Sequence, residues 1–478
     1  MSNSSFIPSF EEGAPRRFNN ATLPQVIGAA GEVNHPSVQG LSDLPGRADS
    51  KVALHLLDRR GRPPSKEGIK NRVFTWVVLP ALFLLMAVPS SAQTYTHRGF
   101  LEGRGTLYPL KAVNDSAHTV GEALFRYEGF FTASPTLQLA GTVDLRTDTH
   151  HQVERDFKVS LLDRKIQRPL GALRRFSATV HRGPVTFELG KQFIRWGKTD
   201  IVTPTDRFAP RDFLTVVDNE FLAVTAARLN FEKGANTVEA VWSPRFTPSR
   251  VPLAGQRWAP PLPQLTVPVG IRSTRRSFPG GAQSGIRWNH TGPVEFGVSL
   301  YQGFNHLPSF DVTPQLDVEL FYPNMTMVGL EFAIPAPLFI VKGEAAQFNS
   351  SDSRADEYGL YVLQLEKQAG EWFFIGGYAG EAITKRGSRT ATFAPDRGLT
   401  QTFLGRAGYT LDANRSVAFE AAVRQNGDGF WAKAEYSQAF GQHWRLTLNV
   451  TGIAGEISDF LGQYRRNSHS LLIVRYSF

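Results

Sequence analysis

The sequence predicts an all-β fold, a transmembrane antiparallel up-and-down β-barrel of about 18 strands, with about 16 strands as the alternative. Three observations lead to this prediction. Short segments alternate apolar and polar side chains, tight turns alternate with long polar connections, and the last strand ends in an apolar and aromatic stripe. Each observation is weak alone, and together they favour a closed barrel over a soluble β-sandwich.

The first 92 residues differ from the rest of the chain. A basic stretch ending at Arg72 precedes the apolar run 73–88, and small residues follow at Ser90 and Ala92. This order is typical of a secretory signal peptide cleaved after Ala92, with a single membrane anchor as the alternative. The predicted organisation is a disordered extension or one from a misassigned translation start over 1–69, a signal peptide over 70–92, and the barrel over 93–478.

Alternation with period two recurs downstream of the signal peptide. GEALFRYEGFF (121–131), TLQLAGTVDLR (136–146) and WRLTLNVT (444–451) each place apolar residues on one side and polar or charged residues on the other. Successive side chains of a strand point to opposite faces, so this pattern predicts strands that separate an apolar environment from a polar one.

The turns set the strand count. Eight short connections rich in Gly, Pro and Asn join strands in pairs, and mostly longer polar connections separate the pairs. The eight short connections are TASP (132–135), HRGP (181–184), EKGA (232–235), HTGP (290–293), AIPAP (333–337), KQAGE (367–371), LDANR (411–415) and FGQH (440–443). With a first strand near 99–109 and a last one at 468–478, the total is 18. The segment 317–333 counts as one strand, with two short strands as the alternative.

The polar face of the predicted strands carries many charged residues. A dry core would strip these ions of their hydration, whereas a water-filled lumen would not. The same pattern on a soluble sandwich would place them on its solvated surface. The predicted inner-face residues are Glu102, Arg104, Arg126, Glu128, Asp144, Arg146, Arg228, Glu239, Arg287, Lys342, Glu344, Arg406, Glu420, Arg424, Lys433, Glu435, Arg445 and Arg475.

Composition excludes several functions. The chain of 478 residues contains no cysteine, which rules out disulfides and thiolate chemistry. Its net charge of +9 is spread along the sequence, without the basic and aromatic block that grips nucleic acid. No local motif of a hydrolase or metalloprotease is present, so we expect no enzyme, no catalytic residues, no cofactor and no metal.

Two stretches resemble known outer-membrane proteins. Leu472, Val474, Tyr476 and Phe478 match the alternating positions of the C-terminal signal that the barrel-assembly machinery of bacteria reads. The stretch 187–213 resembles the G-[KR]-Q…WG…P-x-D segment of a group of porin-like barrels related to alginate-export channels. These resemblances imply a bacterial outer-membrane location, reached by export with a cleaved signal peptide.

The 187–213 stretch runs into the third long loop. General porins fold their third loop into the barrel as a constriction, and opposed charges there select hydrated solutes. The alternative is that the ion pairs of this loop only brace the wall. The constriction candidates are Arg195, Lys198, Asp200, Asp206, Arg207, Arg211 and Asp212.

The expected function is a porin-like channel for passive diffusion of small polar or anionic solutes. The alternatives are a barrel specific for a saccharide or lipid-like ligand, and a non-transporting scaffold or enzyme. Expected partners are outer-membrane lipids and lipopolysaccharide, the barrel-assembly machinery and a small polar solute, with a homotrimer by analogy with general porins. The basic loop 246–281 either lines an entrance for anions, binds lipopolysaccharide phosphates or is a plain solvated loop.

Overall fold

Eighteen long antiparallel strands form the framework of the protein. The computed structural model describes residues 93–113, 115–253, 255–259, 274–312, 318–388, 391–392 and 394–478. The signal peptide and the extension predicted for 1–92 lie outside the described residues. The strands are β1 Thr94–Leu107, β2 Thr119–Ser134, β3 Leu137–Asp148, β4 Gly171–Arg182, β5 Val185–Gln192, β6 Val224–Lys233, β7 Asn236–Ser243, β8 Gln283–His290, β9 Glu295–Phe304, β10 Asn324–Pro335, β11 Ile340–Asn349, β12 Glu357–Ala369, β13 Trp372–Lys385, β14 Thr402–Thr410, β15 Arg415–Arg424, β16 Gly429–Phe440, β17 Trp444–Gly455 and β18 His469–Ser477.

The sheet closes on itself. Each strand pairs with the next one, and β1 pairs with β18 in an antiparallel register that sets Phe100 opposite Ser477. The Gly99 amide donates to the Phe478 carbonyl at 2.9 Å, and the Phe478 amide donates to the Gly99 carbonyl at 3.0 Å. The predicted count of 18 strands and the predicted closed barrel are therefore confirmed.

Turn length alternates as predicted. The eight short connections lie at one end of the barrel, and the long connections lie at the other end together with the short turn 425–428. Gly183, Gly234, Gly370 and Gly441 have φ between 58° and 63° at these tight turns. Left-handed backbone angles cost glycine little, so the sequence can reverse direction there within a few residues.

The segment 317–333 contains two strands, whereas the prediction counted it as one. Val318–Phe321 belongs to a small sheet inside the loop, where it pairs with Ser309–Val312 and with Thr274–Arg276. The barrel strand β10 begins only at Asn324, after Pro323. Proline lacks the amide that a ladder needs, which explains the break. The total is unchanged because the short strand is outside the barrel wall.

Helix is limited, in the described ranges, to two short 3₁₀ segments, Pro395–Arg397 and Gly462–Asn467. No helix in those ranges is long and apolar enough to cross a membrane.

The outer face of the barrel is a continuous apolar surface. Its side chains are exposed although they are large and apolar, a pattern that monomeric soluble proteins avoid over such an area. A closed barrel with an apolar exterior satisfies every backbone group without water, so this face is suited to lipid. Representative residues are Leu101, Val143, Leu145, Phe176, Leu189, Leu229, Ile286, Val298, Leu300, Val328, Leu330, Leu363, Leu365, Phe403, Phe419, Val423, Leu448, Val450, Leu472 and Val474.

Aromatic side chains gather at the short-turn end of the outer face. Ring centroids of Trp444 and Tyr476 are 5.0 Å apart, and those of Trp372 and Tyr409 are 4.6 Å apart. Tyrosine and tryptophan combine an apolar ring with a polar tip, which suits the boundary between acyl chains and water. The arrangement marks one edge of the lipid-facing belt.

The interior contains loop residues as well as wall residues. Trp258, Phe213, Phe460 and Tyr464 come from three loops at the long-loop end and pack in one buried apolar cluster with wall residues such as Trp431. These apolar side chains of the loops pack against one another and the wall, which removes them from water. The lumen is thus partly filled.

We expect Gly99→Ala to weaken barrel closure. A Cβ at Gly99 would lie 2.6 Å from the Arg126 carbonyl oxygen and 2.6 Å from the Phe478 ring, whereas nothing lies within 4 Å of a Cβ at Gly103. Overpacking of this kind costs about 1–3 kcal/mol. Gly99→Ala should lower the midpoint of thermal unfolding, followed by the gel shift of the heated barrel, and Gly103→Ala on the same strand should not. Equal midpoints for both variants would contradict the role of this contact.

Candidate functional site: the loop that crosses the lumen

The third long loop, residues 193–223, spans the interior between opposite walls. It leaves β5 after Gln192 and re-enters the wall at Val224. Its first part contacts β10–β12, and its last part contacts β1–β4 through Asp218 and Glu220. We call this segment the crossing loop. Its predicted position inside the barrel agrees with the structure.

One buried carboxylate anchors the first part of the crossing loop. Glu344 of β11 is 3% exposed, and its Oε1 accepts hydrogen bonds from the amides of Lys198 and Thr199, each at 2.6 Å. The Thr199 hydroxyl donates to the same oxygen at 2.7 Å. The other oxygen, Oε2, accepts from the Thr205 amide at 3.3 Å and from its hydroxyl at 3.0 Å. Both ends of the turn are therefore held by a single side chain.

The sequence around Trp196 and Gly197 allows this approach. Gly197 has a φ of 103°, and a Cβ there would lie 2.6 Å from Glu344 Oε1. Only glycine combines that backbone angle with so close a contact. Trp196 is buried beside it, and its indole Nε1 donates to Glu239 at 3.0 Å. The tryptophan and glycine of the WG pair thus have separate structural roles.

Charged side chains extend the anchor along the wall. Lys198 Nζ pairs with Glu295 at 2.7 Å. The Asp200 carboxylate pairs with the Lys342 ammonium group at 2.8 Å. The backbone amide of Asp200 donates to the Gln364 side chain at 3.0 Å. These contacts lie on β9, β11 and β12, so three wall strands fix one turn of the loop.

The predicted constriction residues divide into two groups. Arg195 and Asp200 face the water of the lumen, with side chains that are 40% and 44% exposed, and Lys198 lies between them. The rest are mostly shielded. Asp206 receives the Arg195 guanidinium at 2.5 Å and the Trp196 amide at 3.0 Å, and Arg207 stacks on Phe348.

Arg211 and Asp212 are buried inside the loop structure. Asp212 accepts from Arg168 and from Arg250, each at 3.0 Å. Burial alone would raise the pKa of Asp212, but these two guanidiniums outweigh it and hold the pKa below its ordinary value. Arg211 donates to Asn219 at 3.0 Å. Their contacts join the crossing loop to itself and to the second and fourth loops.

The last part of the crossing loop meets a cluster of arginines on the opposite wall. Glu220 accepts from Arg146 at 2.6 Å and from Arg174 at 3.0 Å. Arg126 forms a bidentate ion pair with Asp144, in which both N–O distances are 2.7 Å. Burial would raise the pKa of Glu220, but the surrounding guanidiniums lower it well below its ordinary value. The carboxylate therefore stays ionised in this cluster.

Along the wall, the basic partner of an ion pair is usually closer to the water of the lumen than the acidic partner. Glu102 is fully shielded, whereas its partners Arg104 and Arg475 are 21% and 28% exposed. Glu420 is likewise more buried than its partners Arg406 and Lys433. The shorter acidic side chains lie close to the strands of the wall. The longer basic side chains extend past them toward the lumen.

The predicted lumen-facing residues lie on the inner face of the barrel. We assign this face from the positions that alternate with the exposed apolar residues along each strand. Arg228 pairs with Glu239, Arg424 with Asp459 of a loop, and Glu128 with Arg98. Arg445 is exposed near the short turn before β17, on the same face as the buried Thr447. The full set is Arg126, Glu128, Asp144, Arg146, Arg228, Arg406, Glu420, Arg424, Lys433, Glu435 and Arg445.

Some functional contacts have no signal in the sequence. Sequence reasoning placed Glu344 on the inner face, and nothing in its neighbourhood identified it as an anchor. Phe221 was not singled out at all, yet the guanidiniums of Arg195 and Arg211 lie 3.5 and 4.1 Å from its ring centroid. The Glu344 contacts join residues far apart in the chain, whereas Arg195, Arg211 and Phe221 belong to one loop, and only the three-dimensional path of that loop reveals both sets of contacts.

Two arginines of the basic fourth loop bind groups within the protein. Arg250 pairs with Asp163 and Asp212, and Arg257 donates to the Leu110 and Ala117 carbonyls. Both guanidiniums are buried, so neither is placed to bind lipopolysaccharide phosphates or anions at an entrance. Within the described ranges, no group of three or more His, Cys, Asp or Glu residues is arranged to hold a metal ion.

Comparison with known proteins yields structural likenesses only. No family model and no curated protein matches the chain. A BenF-like porin from Pseudomonas fluorescens Pf-5 is similar at 8% identity and a TM-score of 0.49, covering 80% of this chain and 98% of its own. Acinetobacter baumannii OccAB4 is similar at 12% identity and 0.47, covering 81% and 98%. Pseudomonas aeruginosa OccK2 (OpdF), solved in complex with glucuronate, is similar at 10% identity and 0.45, covering 81% and 98%.

We expect Glu344→Ala to release the crossing loop. Each buried donor left without an acceptor costs about 1–3 kcal/mol, and this variant removes the acceptor of three amides and two hydroxyls. The variant should unfold at lower temperature and become sensitive to trypsin at Arg195 and Lys198. Glu435→Ala is the control, because Glu435 lies on the inner face opposite Asn449 of β17. A loop that stays protease-resistant in Glu344→Ala would refute the anchor.

Proposed function

We propose that this protein is a passive channel of the bacterial outer membrane for small polar and anionic solutes. The observation that carries the proposal is the order of charge along the barrel wall, where acids such as Glu102 and Glu420 are less exposed than the basic side chains paired with them. Arg104 and Arg475 over Glu102, and Arg406 over Glu420, are examples. The closed barrel with an apolar exterior supports the membrane location.

The order of the charges matters because the electrostatic potential that a solute meets depends on which charged group is nearest to it. A carboxylate at the base of the wall holds its arginine in place by hydrogen bonds but is farther from a passing ion. Low-dielectric walls focus the remaining positive field into the lumen and raise the local concentration of anions. The net charge of the chain, +9, is positive like this field. Small anions should therefore pass in preference to cations.

A channel selective for one class of solute is the second candidate, and the crossing loop favours it. The loop contacts β11 through Lys198 and Thr199 and contacts the arginines of β3 and β4 through Glu220, so it divides the lumen. Passage then requires a solute to move between charged groups of the loop and wall. The two candidates differ in whether conductance saturates as the solute concentration rises.

Assembly and export belong to the same proposal. Leu472, Val474, Tyr476 and Phe478 remain the proposed signal for the barrel-assembly machinery, and 70–92 remains the proposed cleaved signal peptide. Leu472 and Val474 have exposed side chains on the outer face of β18, where another protein can reach them before lipid does. A homotrimer remains a proposal that a mass measurement in detergent would test.

We expect the reversal potential in a salt gradient to report anion preference in planar bilayers. Arg104→Gln with Arg195→Gln removes two guanidiniums of the lumen, on side chains that are 21% and 40% exposed, and the preference should fall because the field in the lumen weakens. Arg182→Gln is the matched control, since Arg182 is exposed at the short turn after β4. A folded barrel without conductance would refute the open channel, and equal preference in all variants would refute the charge-layer argument.

We expect glucuronate to reduce the small-ion current more than glucose does, because only glucuronate carries a carboxylate that the basic side chains attract. Saturation with rising glucuronate would support the selective channel, and a linear response would support the general one. Equal effects of glucuronate and glucose would contradict anion preference for organic solutes.

A further inference from the structure

The second long loop, residues 149–170, exposes an unusual set of apolar side chains. Polar residues would be expected there, since connections at this end of a barrel usually meet water. The exposed fractions are 73% for Phe157, 55% for Val159, 61% for Leu161, 38% for Leu162 and 48% for Ile166. We call residues 157–166 the wall patch.

The wall patch lies where the barrel wall is incomplete. β5 is short and pairs with β4 only as far as Phe176, which leaves Gly171–Arg175 without a partner from β5. Val159 and Ser160 pair with Gly171 and Ala172 in parallel, on this part of β4. A loop segment therefore takes the place of wall above the end of β5.

A buried lysine shows which side of the wall the patch covers. Lys191 of β5 is paired with Phe176, whose side chain is exposed on the outer face, so Lys191 also points outward. It is nevertheless buried, because its Nζ pairs with Asp163 at 2.6 Å and donates to the Leu161 carbonyl at 3.3 Å. The loop thus covers a charge that its position in the strand would place on the outer face.

The patch is continuous with the apolar belt. A Cβ placed on Gly171 would lie 3.6 Å from Leu145 Cδ2 and 3.6 Å from Val159 Cγ2. Leu145 is an exposed residue of the lipid-facing belt on β3. Val159 is therefore its neighbour on the same surface, and the loop extends the belt across the gap above β5.

We propose that the wall patch is a lipid-contact surface that inserts its apolar side chains among the acyl chains of the surrounding membrane. Removing the exposed part of each apolar side chain from water is favourable in proportion to its area. Lys158 lies between Phe157 and Val159 with its side chain 71% exposed, and its long stem lets the charge reach the headgroups. Continuity with the belt favours lipid over a second copy of the chain. This proposal is independent of what the lumen conducts.

The experiment uses the absence of cysteine from the chain, so that one introduced cysteine carries the only label. Leu161→Cys receives a nitroxide in phosphatidylcholine vesicles, and its collisions with oxygen and with a water-soluble nickel chelate are compared. Val328→Cys, on the outer face of β10, is the lipid reference, and Ser353→Cys, in the exposed loop before β12, is the water reference.

The expected oxygen-to-nickel ratio at Leu161 is close to that at Val328 and several-fold above that at Ser353. A ratio like that of Ser353 would overturn the proposal. A label reached by neither reagent would mean that protein covers the patch, which would also overturn it. Phe157→Cys provides a second position, and the heat-induced gel shift verifies that each labelled barrel is folded.

Discussion

The structure depends on the closure of the hydrogen-bonded sheet. In lipid, no water is available for an unpaired amide or carbonyl, so every edge must find a partner. The pairing of β1 with β18 provides it, and Gly99 and Phe478 complete the ladder at its end. Once the sheet is closed, alternation along each strand separates the environments, with apolar residues outside and charged residues inside. The charged interior and its loops follow from that constraint.

Within the lumen, buried acids organise the loops. Glu344, Asp206 and Asp212 each accept hydrogen bonds from main-chain amides or guanidiniums of the third or fourth loop or of the neighbouring wall. A buried ion without partners would be costly, so each acid holds its donors in one arrangement. At Asp206 the paired Arg195 is the more exposed partner, so there the anchoring acid also leaves a basic side chain toward the water.

Local sequence patterns were sufficient to predict most of the fold. Alternation with period two and eight tight turns were enough for the strand count, because wall strands are long and their turns use glycine. The break at Pro323 was missed, since Val318–Phe321 has the same alternation as a wall strand but pairs inside a loop. For the site, the loop that the sequence singled out does cross the lumen, and Arg195 and Asp200 are its more exposed charged residues, while its role as a constriction remains a prediction. It could not reveal that Arg211 and Asp212 are buried, because Arg168 and Arg250 come from other loops.

The pairing of β1 with β18 also bears on the order of folding. These strands are the first and the last of the barrel, so their contacts have the greatest sequence separation in the sheet. Contacts of this kind form late and slow folding, because nearly the whole chain must be ordered before they are made. Until then β1 keeps a free edge that can recruit strands of other chains. The final step of folding is thus also the step that removes the principal route to aggregation.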